Sequence, residues 1–331
     1  MEQRRLGATN LTVSRMGLGL AALGRPGYMN LGHADDLHHN YDVSAMEAHA
    51  HEVLDAARAA GVRYFDAARS YGRAEEFLST WLRARNVNPD SVTIGSKWGY
   101  TYTAGWQVQA KHHEVKEHSL AVLKRQFHES LSLVGSNLKL YQIHSASLDS
   151  GVLDNLEVLE ELGRIKATGI GIGLTLTGPH QAETLKKAIG ITIEGHRLFD
   201  SVQATWNLLE PSAGPALQAA HELGMGVIIK EALANGRLTP RNADLSFEPK
   251  RRILAGMAKD LNTSLDALAL ATVLANAWVD VVLSGAATVD QLHSNITALS
   301  IHLPKEAIAQ LLSLQETPAE YWNSRSKLSW N

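Results

Sequence analysis

The chain has 331 residues, 45% of them hydrophobic, with 31 Lys and Arg against 34 Asp and Glu and no cysteine. This balance provides no basic surplus for nucleic acid or an anionic membrane, and the lack of cysteine excludes disulfides, thiol nucleophiles and thiolate metal sites. The start, MEQRRLGATN, is too polar for a signal sequence, and no stretch reaches the roughly 20 apolar residues of a membrane span, so a cytoplasmic location is expected.

Arg4–Leu6 and Leu11–Val13 flank Gly7-Ala8-Thr9-Asn10 and read as a β-hairpin. Short apolar runs then alternate with helical patterns. A strand at Met16–Leu20 precedes a helix at Ala45–Ala60, and Tyr64–Asp66 precedes Ala74–Arg85. Thr93–Lys97 precedes Val115–Val134, Leu138–His144 precedes Leu153–Leu162, and Ile170–Gly173 precedes Pro179–Ile189. Ser201–Thr205 precedes Ala213–Leu223, Gly226–Ile229 precedes Arg252–Asn276 (broken near Asn262), and Val281–Leu283 precedes Val289–Ser300. Lys305–Leu314 reads as an added helix, followed by a tail, Glu316–Asn331, that contains Tyr321, Trp322 and Trp330. Eight strands alternating with helices predict an α/β fold, a (β/α)8 TIM barrel formed by residues 1–331 as one domain, with an N-terminal hairpin and a C-terminal helix and tail. An open doubly wound sheet fits less well. Its G-x-G-x-x-G fingerprint would follow the first strand, but Gly17-Leu18-Gly19 continues as Leu20-Ala21-Ala22.

In such a barrel, functional groups gather where strands end. Strand two ends at Asp66 with Tyr71 just beyond, strand three at Lys97 and strand four at His144. Singly, these read as an ion pair, a turn aromatic and a core histidine. Together they suit carbonyl reduction, in which the oxygen gaining charge must be protonated. Tyrosine is a reluctant acid–base, a lysine ammonium stabilises its phenolate, an aspartate holds that lysine, and a histidine orients the substrate oxygen.

The segment Gly61 to Glu75, with Asp66 and Tyr71 inside it, resembles the signature of the aldo-keto reductase family. Ser96-Lys97-Trp98-Gly99 and Leu140-Tyr141-Gln142-Ile143-His144 are similar to its lysine and histidine motifs. The resemblance implies an NAD(P)-dependent oxidoreductase acting on a small aldehyde, ketone or alcohol, with Tyr71 as general acid–base, Lys97 and Asp66 as its tuning pair, and His144 orienting substrate. It also implies NADP, with NAD as the alternative, at Gly19, Thr175, Gln203, Lys230, Leu233, Asn235, Gly285, Gln291 and Asn295.

Several positions depart from the family pattern. Leu176 replaces an asparagine, Lys230 replaces a stacking tyrosine (for which Trp206 is a substitute face), and the Leu283–Asn295 loop carries no Lys or Arg for a 2′-phosphate. Trp98, Tyr100 and Trp322 are the expected substrate-pocket aromatics, with Tyr102 and Trp106 nearby. The His- and Asp-containing run Gly32–His39 matches no defined metal spacing, so no metal is expected. Two other classes compete: a nicotinamide-binding regulatory subunit with little turnover, and a Schiff-base lyase or isomerase using a free Lys97.

Overall fold

The computed structural model describes residues 1–331 and closes eight parallel strands into a barrel. They are β1 (Met16–Gly19), β2 (Tyr64–Asp66), β3 (Thr93–Trp98) and β4 (Leu138–Ala146), followed by β5 (Gly171–Leu176), β6 (Ser201–Thr205), β7 (Gly226–Lys230) and β8 (Val281–Ser284). Each pairs with the next, and β8 pairs back to β1. The strands read as short apolar runs because helices cover the barrel outside while side chains fill its inside. The expected (β/α)8 architecture is therefore present, and no helix is long and apolar enough to cross a membrane.

Several boundaries differ from the sequence expectation. The helix expected from Val115 begins at Leu120, because Ser119 accepts the Val122 N–H and caps it. Glu114–Lys116 instead pairs antiparallel with Tyr100–Tyr102, forming a hairpin over the barrel rim. The helix expected from Leu153 starts at Leu156 under an Asn155 cap. The last stretch, expected as a plain tail, contains a helix at Pro318–Ser326 that starts with a Thr317/Glu320 capping box. The expected break near Asn262 is present: helices Glu248–Asp260 and Leu265–Leu274 are separated by Asn262, at φ 50°, and by the Ser264 cap.

The N-terminal hairpin, Gln3–Arg5 with Thr12–Ser14, closes the barrel floor. Leu6 and Val13 pack with Tyr64, Leu140, Ile228, Val281 and Leu283 in one buried cluster. The turn presses so closely on β7 that a side chain at Gly226 would meet Leu6. Gly226→Ala should therefore cost about 1–3 kcal/mol by overpacking. A lowered urea midpoint checks this, and an unchanged midpoint would mean that the hairpin gives way freely.

Candidate active site

Asp66, at the end of β2, is the centre of the barrel mouth. Tyr64 donates to its carboxylate at 3.0 Å and Gln203 at 2.9 Å, Gln142 lies at 3.4 Å, and Lys97 forms a short ion pair with it. Alternation along β3 places Lys97 inside the barrel. Its ammonium also donates to Ala67 O at 2.8 Å and to the Tyr71 hydroxyl at 3.2 Å. Tyr71 sits in the tight turn after β2, where Gly72, at φ +58°, packs against Gly24 and Arg25. The His144 ring lies edge-on to Tyr71 with centroids 5.5 Å apart, and its Nδ1 is 3.4 Å from Ser70 Oγ. The four groups expected from three strand ends thus meet.

Burial raises the Tyr71 phenol well above its usual range, and the nearby Asp66 carboxylate raises it further. The Lys97 ammonium does not offset this rise, since much of its charge is answered by Asp66. Burial lowers the Lys97 ammonium, with Asp66 opposing the shift. His144 falls well below the usual imidazole range through burial and then through the Lys97, Lys230 and Arg25 charges, so it is neutral at pH 7.

A cleft of about 600 Å³ runs from Asp66, Tyr71 and His144 past Gly19, Gln203, Lys230, Leu233 and Asn235 to Gly285, Gln291 and Asn295. Gln203 spends its amide nitrogen on Asp66, which leaves its carbonyl oxygen without a protein partner. Burial pushes Lys230 down to about 8, and its ammonium donates to Thr205 Oγ1 at 3.1 Å. Burial alone would raise Glu231, but the Arg325 and Lys230 charges hold it at about 2, and Arg325 Nε donates to it at 2.9 Å. Gln291 donates to Asp36 at 2.8 Å and accepts the Ala287 N–H at 2.9 Å, while Asn295 donates to Ser284 at 2.8 Å.

Several expected positions, Tyr100 among them, do not line the cleft. Thr175 is fully buried and accepts the Ser145 N–H at 2.7 Å. Trp98 follows inward-pointing Lys97, so it faces outward into the core beside His118. Trp322 packs with Tyr321 and Leu311 in a separate buried cluster. Trp206 is buried against Trp278, with its N–H on Pro211 O at 3.1 Å, so it presents no face to the cleft. Tyr100 remains near the site, with its ring 5.0 Å from that of His144.

Sequence reading missed Arg25, Tyr28, Asp36, Glu114, Arg241 and Arg325, all of which line the cleft from loops or the tail. None belongs to a periodic pattern or motif. The Gly32–His39 run forms no ligand cluster. His33 is buried 3.4 Å from Arg25 O, and Asp36 takes Arg241 at 2.7 Å.

A profile described as the Aldo/keto reductase family matches residues 15–316. An uncharacterized oxidoreductase of Bacillus subtilis, YrpG, is 26% identical over 97% of this chain and 99% of its own length. Pyridoxal 4-dehydrogenase of Microbacterium luteolum is 24% identical over 92% and 95%. Among solved structures, the holo form of aldo-keto reductase AKR11C1 from Bacillus halodurans superposes with a TM-score of 0.73 at 22% identity, covering 96% of this chain and 97% of that one.

Burial lowers both His33 and His118 to about 4 in the folded chain. Unfolded histidine titrates near 6.5, so between these values the unfolded state holds more protons and stability falls as pH falls. Each is expected to cost about 1–2 kcal/mol by pH 5. Urea midpoints at pH 7 and pH 5 measure the loss, and His118→Gln should flatten the dependence. An equal slope in that variant would remove His118 from the account.

Proposed function

The chain belongs to the aldo/keto reductase family, and on that premise we propose that it transfers a hydride between NADP(H) and a small aldehyde, ketone or alcohol, with Tyr71 as general acid–base. The observation that carries this reading is the hydrogen-bonded path from Asp66 through Lys97 to the Tyr71 hydroxyl at the inner end of the cleft.

The cleft fits a nicotinamide dinucleotide. Its volume of about 600 Å³ lies within the roughly 300–1,000 Å³ typical of cofactor sites. Gln203 presents an unpartnered amide oxygen near Asp66, and Asn235 has a buried Oδ1 without a partner. Gln203, Lys230 and Asn235 would hold the nicotinamide half, and Gly285, Gln291 and Asn295 the adenosine half. A bound nicotinamide supplies or accepts the hydride.

The protein's own part is the proton. Burial keeps Tyr71 protonated, which suits a donor to the oxygen of a carbonyl being reduced. Lys97, 3.2 Å away, stabilises the phenolate left behind. Neutral His144 orients the substrate oxygen without adding charge. Asp66 and Lys97 are almost wholly buried, which strengthens the interactions between them. The three N–H groups of Lys97 meet Asp66, Ala67 O and Tyr71. That leaves no free amine and supports the reductase reading over a Schiff-base enzyme.

Cofactor choice depends on a cation the sequence did not place. Arg241 reaches the outer end of the cleft from another loop, but its guanidinium is taken by Asp36, which also accepts from Gln291. We therefore favour NADP(H) with a small advantage over NAD(H). Asp36→Asn would free Arg241 and remove a carboxylate that repels a 2′-phosphate. Binding of NADPH should tighten about tenfold relative to NADH, the equivalent of roughly 1.4 kcal/mol. Fluorescence titration of both reduced cofactors measures the ratio, and an unchanged ratio would show that this pair does not face the phosphate.

Tyr71→Phe tests the central proposal. It removes the hydroxyl and keeps the packing ring, so carbonyl reduction should fall about 10²–10⁴-fold while reduced-cofactor binding persists. Parent-like turnover in that variant would take Tyr71 out of the proton step.

A further inference from the structure

Arg25 is buried, with only 3% of its surface exposed, yet it lines the cleft beside Tyr71. Its Nη1 donates to Ser70 O at 3.2 Å and to Glu114 at 3.1 Å. Its Nε is buried with no partner, and Nη2 makes no hydrogen bond to protein. Nη2 is therefore the nitrogen left to a ligand in the cleft, as the Arg85 Nη2 donates to Asp55 at 2.9 Å. Three rings hold the guanidinium: Tyr28 and Trp330 at 4.8 Å from Cζ and Tyr71 at 5.2 Å. A cation kept rigid, poorly hydrated and short of partners is prepared for a planar anion.

The surrounding charges agree. Lys97 is matched by Asp66, Arg325 by Glu231 and Arg25 by Glu114, whereas Lys230 lies 3.9 Å from the already clamped Glu231. The inner cleft therefore carries an excess of positive charge. Lys230 stands on β7 toward the cofactor half. Arg25 follows β1 and faces the Tyr100–Glu114 hairpin and Trp330, on the side left for substrate.

We infer that Arg25 is a substrate-binding residue, and that the site takes carbonyl compounds that also bear a carboxylate, held by the free Nη2 within a small molecule's reach of the Tyr71 hydroxyl. This rests on the reductase reading. Glu114 works against it, since its carboxylate shares the guanidinium and repels an acidic substrate. The two residues thus have opposite effects, which an ordinary structural ion pair would not produce.

The experiment compares 4-carboxybenzaldehyde with its neutral isostere 4-formylbenzamide, using the parent, Arg25→Met and Glu114→Gln. The parent should prefer the carboxylate about tenfold or more in kcat/KM, as one charge-assisted contact would give. Arg25→Met should erase that preference, mainly through KM, and Glu114→Gln should enlarge it. Equal use of both aldehydes by the parent, or a ratio that both variants lower alike, overturns the inference. If neither aldehyde is reduced, the reductase reading fails. Arg25 is then judged by binding to the protein loaded with oxidised nicotinamide, read by tryptophan quenching. Tighter binding of the carboxylate supports the inference and equal binding ends it.

Discussion

A carboxylate inside a β-barrel is tolerated only if its desolvation is answered by donors, and Asp66 is answered from four strands. Tyr64 lies on its own strand, Lys97 on β3, Gln142 on β4 and Gln203 on β6. The barrel mouth is organised around that requirement. A Cβ at Gly95 would stand 2.5 Å from the Tyr64 hydroxyl, so glycine is needed there for the tyrosine to reach Asp66. Lys97 is pulled inward by the same charge, and this brings its ammonium to Tyr71. The network that neutralises one buried acid thus also positions Tyr71, the proposed proton donor.

The electrostatics follow from that burial. Desolvation dominates at Tyr71, Lys97 and His144 alike, and it drives each toward its neutral form. The ion pair with Asp66 opposes it at Lys97. The resulting site holds a protonated phenol beside a neutral imidazole.

Above the barrel, the wall is assembled from segments distant in sequence. Arg325, on the helix Pro318–Ser326, clamps Glu231 after β7. Beyond it, Trp330 stacks on His113 with centroids 3.8 Å apart. Asn331 Oδ1 accepts the His33 N–H at 2.8 Å. The tail therefore ties the loop after β1 to the β3 hairpin, and it reaches the cleft through Arg325, whereas Trp322 is buried elsewhere.

The barrel and the Asp66–Tyr71–Lys97–His144 group could be read from the sequence because both depend on local order. Apolar runs alternate with helical periods, and each polar group closes or directly follows its own strand. The same alternation would have turned Trp98 away from the site once Lys97 was placed inside. The Ser119 cap and the Thr317/Glu320 box were likewise legible as helix starts. Other features had no local signal. Arg25 faces Glu114, Asp36 faces Arg241 and Glu231 faces Arg325 across long sequence separations, and each charge looks like an ordinary surface residue until the loops fold over one another. Only the tertiary structure decided which cations are spent on carboxylates and which remain open to a ligand, because that depends on how closely distant loops pack and how much water they exclude.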